Sequence, residues 1–259
     1  MNDANPDVML ITIPLSHYCE KARWALDRVG MEYREEPHAP LVHRMFTMTR
    51  GGGTVPILIE GSRRIFSSSD ILKYAAAIDR NEMLYPRDPA LRAEVESFEA
   101  SFDTDLGPHS RRWAYAHLLP NLALVRYLWT QRAPALESMT VKALAPFIRL
   151  LVRSTYRITP ASRERSLSRA LEIFQKVESV LADGRRYLVT DRFTAADLTF
   201  AVLAAPMLLP PQCRAVQPAL DEVPSSMREE ILRLRETIAG RFALRMFEEE
   251  RDRSTPSAC

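Results

Sequence analysis

The sequence predicts an α/β layer domain of order β-α-β-α-β-β-α followed by an all-α helical bundle. Three observations carry that prediction. Up to about residue 80, short apolar strand-like runs alternate with amphipathic helix-like ones, the pattern of a layered α/β unit. Beyond the proline-flanked segment 84–89, strand signals nearly vanish and helical periodicity takes over. The 259 residues accommodate two modest domains, and 46% hydrophobic with 26% charged residues is an ordinary globular composition.

Each element has a local reason. Residues 8–13 form an apolar run ended by Pro14, as in an interior parallel strand. A helix follows whose apolar stripe is Cys19, Ala22, Ala25, Leu26 and Val29, with Gly30 as its stop. Glu20, Lys21, Asp27 and Arg28 occupy its other side, and Trp24 lies with them, so Trp24 is expected to pack outside its own layer. Residues 33–36 suggest a second strand and 41–48 a short helix. Residues 55–59 and 64–66 read as two strands joined by a turn at Glu60-Gly61-Ser62. Ser67 and Asp70 stand at capping-box spacing before a helix whose inner face is Ile71, Leu72, Tyr74, Ala75 and Ile78.

In the second half, residues 90–106 read as a helix ended by Gly107-Pro108, and 111–119 and 121–132 as helices separated by Pro120. Residues 138–155 contain Pro146, where a kink or break is expected. Pro160 starts a strongly periodic helix closed by Asp183-Gly184, and Thr194 to Asp197 is a second capping box heading an apolar helix. Helices at 225–238 and 241–250 finish the chain, and a disordered tail is expected from Arg251.

Composition excludes several function classes. A net charge of +2 with interspersed acids and bases gives no basic stripe for nucleic acid. Three distant cysteines argue against a disulfide framework and for a reducing compartment, and neither they nor the five histidines show metal-ligand spacing. The longest uncharged run, 198–213, is proline-interrupted and too short to span a bilayer, so it reads as a core helix. No signal peptide is recognisable, and a cytoplasmic location is expected.

The densest chemistry lies at residues 16–26, where Ser16 and Cys19 stand three apart at a strand-to-helix turn. A helix N-terminus presents free N–H groups and a positive dipole end, a setting that favours a thiolate. The thiolate is either that of Cys19 or that of a bound small thiol. Cys19 lies on the buried stripe, where burial raises a thiol pKa, so it reads as an inert core residue. Ser16 stays at the helix end, as a plain N-cap or as a hydrogen-bond donor to a ligand.

Three motifs together resemble the cytosolic glutathione transferase family. Ser16-x-x-Cys19 with Lys21-Ala22-Arg23-Trp24-Ala25-Leu26 is similar to its catalytic turn and first helix. Gly53-Thr54-Val55-Pro56-Ile57-Leu58 is similar to its loop before the third strand, and Phe193-Thr194-Ala195-Ala196-Asp197-Leu198 to its helical-domain capping box. The resemblance spans roughly residues 7–250. It implies a thioredoxin-like glutathione-binding domain over residues 7–82, an all-helical substrate-binding domain over residues 90–250, and a homodimer.

For the site, the resemblance implies that Ser16 donates a hydrogen bond to the glutathione sulfur, as in serine-type members. It implies that Tyr18, Val55, Pro56, Ser67 and Ser68 bind glutathione, with Val55-Pro56 cis and Val55 pairing with the tripeptide backbone as an added strand. Ser67 departs from the family, which commonly has Glu or Asp there for the glutathione amino group; Asp70 either takes that role or only completes the cap. Thr194 and Asp197 read as structural. Trp113, Tyr115, His117 and Met207 are candidates to line the pocket for a small hydrophobic electrophile, and residues 107–160 are expected to shape that pocket or a lid. The competing readings are a glutathione-dependent dehalogenase, isomerase or peroxidase, a non-catalytic binding or scaffold relative, and a thiol-disulfide oxidoreductase through Cys19.

Overall fold

The computed structural model of the chain describes residues 8–79 and 84–251, so the domain limits expected at 7 and 82 lie outside the described residues. The first half contains β1 (Val8–Thr12), α1 (His17–Arg28), β2 (Arg34–Pro37), α2 (His43–Thr49), β3 (Ile57–Glu60), β4 (Arg63–Phe66) and α3 (Ser68–Ile78), in the expected order. The sheet runs β2-β1-β3-β4. β1 is interior, as its unbroken apolar run requires, but the sheet is mixed: β1 is parallel to β2 and antiparallel to β3, with Leu10 opposite Glu35 and Leu58. Gly61, at φ +55°, makes the β3–β4 turn in the left-handed region open to glycine.

The second half is helical throughout: α4 (Pro89–Ser101), α5 (Gly107–Leu118), α6 (Leu122–Thr130), α7 (Ala135–Thr155), α8 (Pro160–Leu181), α9 (Ala195–Leu208), α10 (Ser225–Arg235) and α11 (Ile238–Met246). Two of the expected breaks are absent. At Gly107-Pro108 the helix does not stop; a π turn over Phe102–Leu106 carries α4 straight into α5. Pro108 has no N–H to give, and the wider turn absorbs the missing bond. α7 likewise runs unbroken through Pro146. The cap at Thr194 forms as read: Asp197 accepts from the Thr194 N–H at 2.7 Å and also takes the Leu188 N–H at 2.8 Å. α9 is buried along almost its whole length and packs against α1, α4, α5 and α11, so it is the axis of the helical half. Its final carbonyls, those of Leu208 and Leu209, are capped by the Arg235 guanidinium at 2.8 Å each.

The seam between the halves is built on the polar side of α1. Lys21, fully buried, donates to Glu99 at 2.9 Å and to Asp103 at 2.7 Å on the α4 segment. Trp24 stacks on Phe193 and packs at a tilt against Phe247 of the helical half, as its position off the apolar stripe required. Of the tail expected from Arg251, only Arg251 itself is described, and it is ordered; the rest lies outside the described residues. After α11 a second π turn, Phe247–Arg251, brings Arg251 to full burial, where it donates to Glu20 at 2.9 Å and to Asp27 at 2.8 Å. A guanidinium paired with two carboxylates of α1 anchors residue 251 to the first half. Among the described residues no helix is long and apolar enough to cross a membrane.

Candidate active site between the two halves

The turn after β1 delivers Ser16 to the head of α1. Its Oγ accepts the Cys19 N–H at 3.3 Å and its carbonyl accepts the Glu20 N–H at 3.0 Å. The Ser16 side chain also hydrogen-bonds the Cys19 thiol, and the His17 and Tyr18 N–H groups have no matched acceptor among the described residues, which leaves two free backbone donors beside the hydroxyl at one helix end. Cys19 is fully buried behind them, its sulfur accepting the Ile13 N–H at 3.4 Å, and burial pushes its thiol up. His17 gives Ser16 no base. Its Nε2 lies 3.1 Å from the Gly107 carbonyl and therefore carries the proton, and burial with the nearby Arg111 charge lowers its pKa to about 3.

A cavity of about 230 Å³ opens in front of this helix end, walled by both halves. Ser16, His17, Tyr18, Thr54 and Val55 face it from the α/β side, and Arg111, Tyr115, Leu118, Leu128 and Tyr156 from the helical side. Tyr18 is held by a hydrogen bond from its hydroxyl to the Asp103 carbonyl at 3.2 Å, and burial pushes its phenol up to about 12. Its ring packs so close to Gly107 that a Cβ there would lie 2.2 Å from the Tyr18 Oη and displace the ring.

Of the residues expected to bind glutathione, Ser16, Tyr18 and Val55 line this cavity. Pro56 is buried behind Val55, joined to it by a cis peptide bond as expected. Ser67 and Ser68 stand at the head of α3, away from the cavity wall. Ser67, at φ +70°, accepts the Asp70 N–H at 3.2 Å and donates to Asp70 Oδ2 at 2.8 Å, so Asp70 is engaged in the cap. Next to this helix end Asp103 contacts Ser69 and Lys21 through Oδ2, while its Oδ1 is buried without a partner.

Of the candidates for the second pocket only Tyr115 reaches the cavity; Trp113 and Met207 are core residues and His117 packs against the Trp113 ring. The lining that sequence reasoning missed comes from two places. The loop after α9 bends back so that the Val216 N–H reaches the Pro14 carbonyl at 2.9 Å, and it brings Cys213, Gln217 and Pro218 to the wall. Arg111 sits one turn before Tyr115 on α5, and that i to i+4 spacing is the signal that links the two. The segment 107–160 does shape the pocket, through α5, α6 and α7. Among the described residues no cluster of His, Cys, Asp or Glu is placed to hold a metal ion.

Comparison with known proteins agrees with this architecture. The family model described as glutathione S-transferase, N-terminal domain, matches residues 10–82, and that described as glutathione S-transferase, C-terminal domain, matches residues 144–241, together about two thirds of the chain. No curated protein sequence matches the chain. Among solved structures, the beta-etherase LigF from Sphingobium sp. strain SYK-6 is similar at a TM-score of 0.60 and 18% identity, over 94% of this chain and 100% of that one. A theta class glutathione S-transferase from the citrus canker pathogen Xanthomonas axonopodis pv. citri, with glutathione bound, gives 0.56 and 18%, over 92% and 97%. Glutathione transferase F7 from Populus trichocarpa gives 0.57 and 13%, over 93% and 99%. At these identities the structural likeness shows the fold, and the matched domain pair shows the lineage: the chain belongs to the glutathione S-transferase family.

Proposed function

We propose that the protein is a serine-type glutathione transferase that adds the glutathione thiolate to small hydrophobic electrophiles. In this reading residues 7–82 bind glutathione and residues 90–250 bind the second substrate. The observation that carries it is the head of α1, where two backbone N–H groups are left without partners and the Ser16 hydroxyl faces a cavity shared by both halves. Those donors and the helix dipole stabilise a sulfur anion placed there. The thiol proton leaves to solvent, the sulfur forms a bond to the electrophilic carbon, and the leaving group departs with its electron pair. Proximity and anion stabilisation supply the rate.

Val55 and Pro56 present the backbone edge for the tripeptide, Tyr18 closes the site beside the sulfur, and Ser67 and Ser68 take the γ-glutamyl carboxylate at the head of α3. Asp103 Oδ1 takes the amino group for which Ser67 has no charge. This supports glutathione as co-substrate despite the altered residue at 67. The molecule works as a homodimer, as the family resemblance implies, and its mass in solution tests that.

The test is turnover of glutathione with a chloronitroaromatic in wild type, Ser16→Ala and Cys19→Ala. Loss of one preorganised donor to a developing anion costs about 10²–10³ in kcat. A Ser16→Ala protein that keeps full activity, with Cys19→Ala inactive, overturns the assignment.

A further inference from the structure

The cavity has an electrical asymmetry that glutathione transfer alone does not use. Its ionisable lining comprises His17, His43, Arg44, Arg111, Cys213 and three tyrosines, with no Asp or Glu among the described residues. Both histidines are neutral near pH 7: burial and neighbouring arginines hold His17 at about 3 and His43 at about 4. Arg44 is exposed at the rim. The permanent charge inside the cavity on the helical side is Arg111.

Arg111 is not explained by the fold. Its guanidinium is stacked between aromatic faces, 4.5 Å from the Tyr156 ring centroid and 5.6 Å from that of Tyr18. Its Nε is buried with no hydrogen-bond partner, and no carboxylate pairs with it among the described residues. Stacking satisfies the π faces of an arginine but none of its five N–H donors, and a buried unmet donor destabilises the site that holds it. The surroundings add repulsion instead of relief. Arg112, next in the chain, is held below the usual arginine range by burial and then by the charges of Arg111, Arg165 and Arg157. An uncompensated cation in an aromatic, carboxylate-free wall fits an anion that arrives with the ligand.

We propose that Arg111 is the anion seat of the second-substrate pocket, and that the protein selects flat apolar electrophiles bearing a carboxylate. The planar guanidinium takes the carboxylate in a fork, and the flanking Tyr18, Tyr156 and Tyr115 rings take the flat apolar body. The assignment rests on reading this cavity as the transferase second-substrate site.

The experiment uses acid and methyl-ester pairs, in which the change of the acid-to-ester ratio from wild type to variant isolates the charge. 4-Chloro-3-nitrobenzoate and its methyl ester undergo the same reaction: the glutathione sulfur bonds to the chlorine-bearing carbon and chloride leaves with its electron pair. The inert pair 4-nitrobenzoate and its methyl ester is titrated against the glutathione-free protein by calorimetry. Arg111→Met is expected to weaken 4-nitrobenzoate binding about 10- to 100-fold, the loss of a charge-assisted hydrogen-bonded pair, and to change the ester by less than about 3-fold. The ratio of kcat/KM for acid over ester falls in parallel, while the KM for glutathione stays put, and Arg111→Lys restores part of the ratio. Equal losses for acid and ester would mean a structural role and overturn the proposal. So would a change confined to the glutathione KM, which would make Arg111 a glutathione contact. If the binding split is found but no conjugate forms with either chloroarene, the transferase reading fails and takes the second-substrate role with it, leaving Arg111 as the carboxylate-binding residue of the cavity; if conjugates form but no split is found, the Arg111 assignment alone fails.

Discussion

Replacing Arg251 with methionine tests whether this residue is an interdomain anchor. The side chain is fully buried, with Nε on Glu20 at 2.9 Å, Nη1 on Asp27 at 2.8 Å and its guanidinium 5.6 Å from the Trp24 ring centroid. Removing one partner of a buried ion pair costs about 3–5 kcal/mol, because the other charge is stranded. Here neither carboxylate is wholly stranded. Glu20 keeps the Arg23 guanidinium at 3.3 Å and the Arg214 N–H at 3.3 Å, while Asp27 keeps the Arg214 guanidinium at 3.0 Å and the Tyr33 hydroxyl at 3.1 Å. Methionine also preserves the apolar stem against Trp24. Arg251→Met should therefore lose about 2–4 kcal/mol, toward the low end of that range, which for a chain of this size lowers Tm by about 5–15 °C. Urea unfolding of wild type, Arg251→Met, Glu20→Gln and the double variant measures it, and the double variant should lose about 1–3 kcal/mol less than the sum of the singles. A single-variant loss under about 0.5 kcal/mol, or strict additivity, would refute an anchor at Arg251.

Two further outcomes follow from the same geometry. Gly107→Ala places a methyl 2.2 Å from the Tyr18 Oη and 2.7 Å from its Cζ, so the ring must shift in the cavity wall. The helix-propensity gain of up to ~1 kcal/mol is outweighed by an overpacking cost of about 1–3 kcal/mol, and Tyr18→Leu in the same chain should recover most of the stability, as thermal unfolding would show. For pH, His17 binds a proton in the unfolded chain below about 6.5 but in the folded chain only below about 3. Its contribution is complete above pH 6.5 and is lost as pH falls through that window, about 2–3 kcal/mol between pH ~7 and pH ~4.5. His43, held at about 4, acts in the same sense, whereas Asp197, raised to about 6 by burial, acts oppositely between pH ~3.8 and 6. Urea midpoints across that range should show a shallower acid-side slope in His17→Gln; parallel slopes would contradict a neutral buried imidazole.

What was legible in the sequence was local or periodic. The β1 run, the α1 stripe, the cap at Ser67 and the box at Thr194 each depend on residues within one turn or strand of one another, so spacing alone identified them. Trp24 was placed outside its layer for the same reason. The polar side of α1 was not legible as buried, because the helical-half partners of Lys21, Glu20 and Asp27 lie in segments 78 to 231 positions away. Arg251 looked like the start of a tail for the same lack of a visible partner. Helical phase finds which face of a helix is apolar but not which helix turns that face to a cleft, so of the four candidates Tyr115 reaches the cavity while Trp113, His117 and Met207 do not. Arg111 was hidden among 35 basic residues, and only its place one turn before Tyr115 marks it.

The central claim is that the head of α1 holds a thiol as its anion with the help of Ser16. The direct measurement is the ultraviolet absorbance of the thiolate of protein-bound glutathione followed against pH, for wild type and Ser16→Ala. Against a free thiol near 8.5, the account predicts an apparent pKa of about 6–7 in the complex. It predicts a rise of about one to two units in Ser16→Ala, the equivalent of one charge-assisted hydrogen bond. An unshifted thiol in the wild-type complex, or a lowered pKa that survives Ser16→Ala, would contradict it.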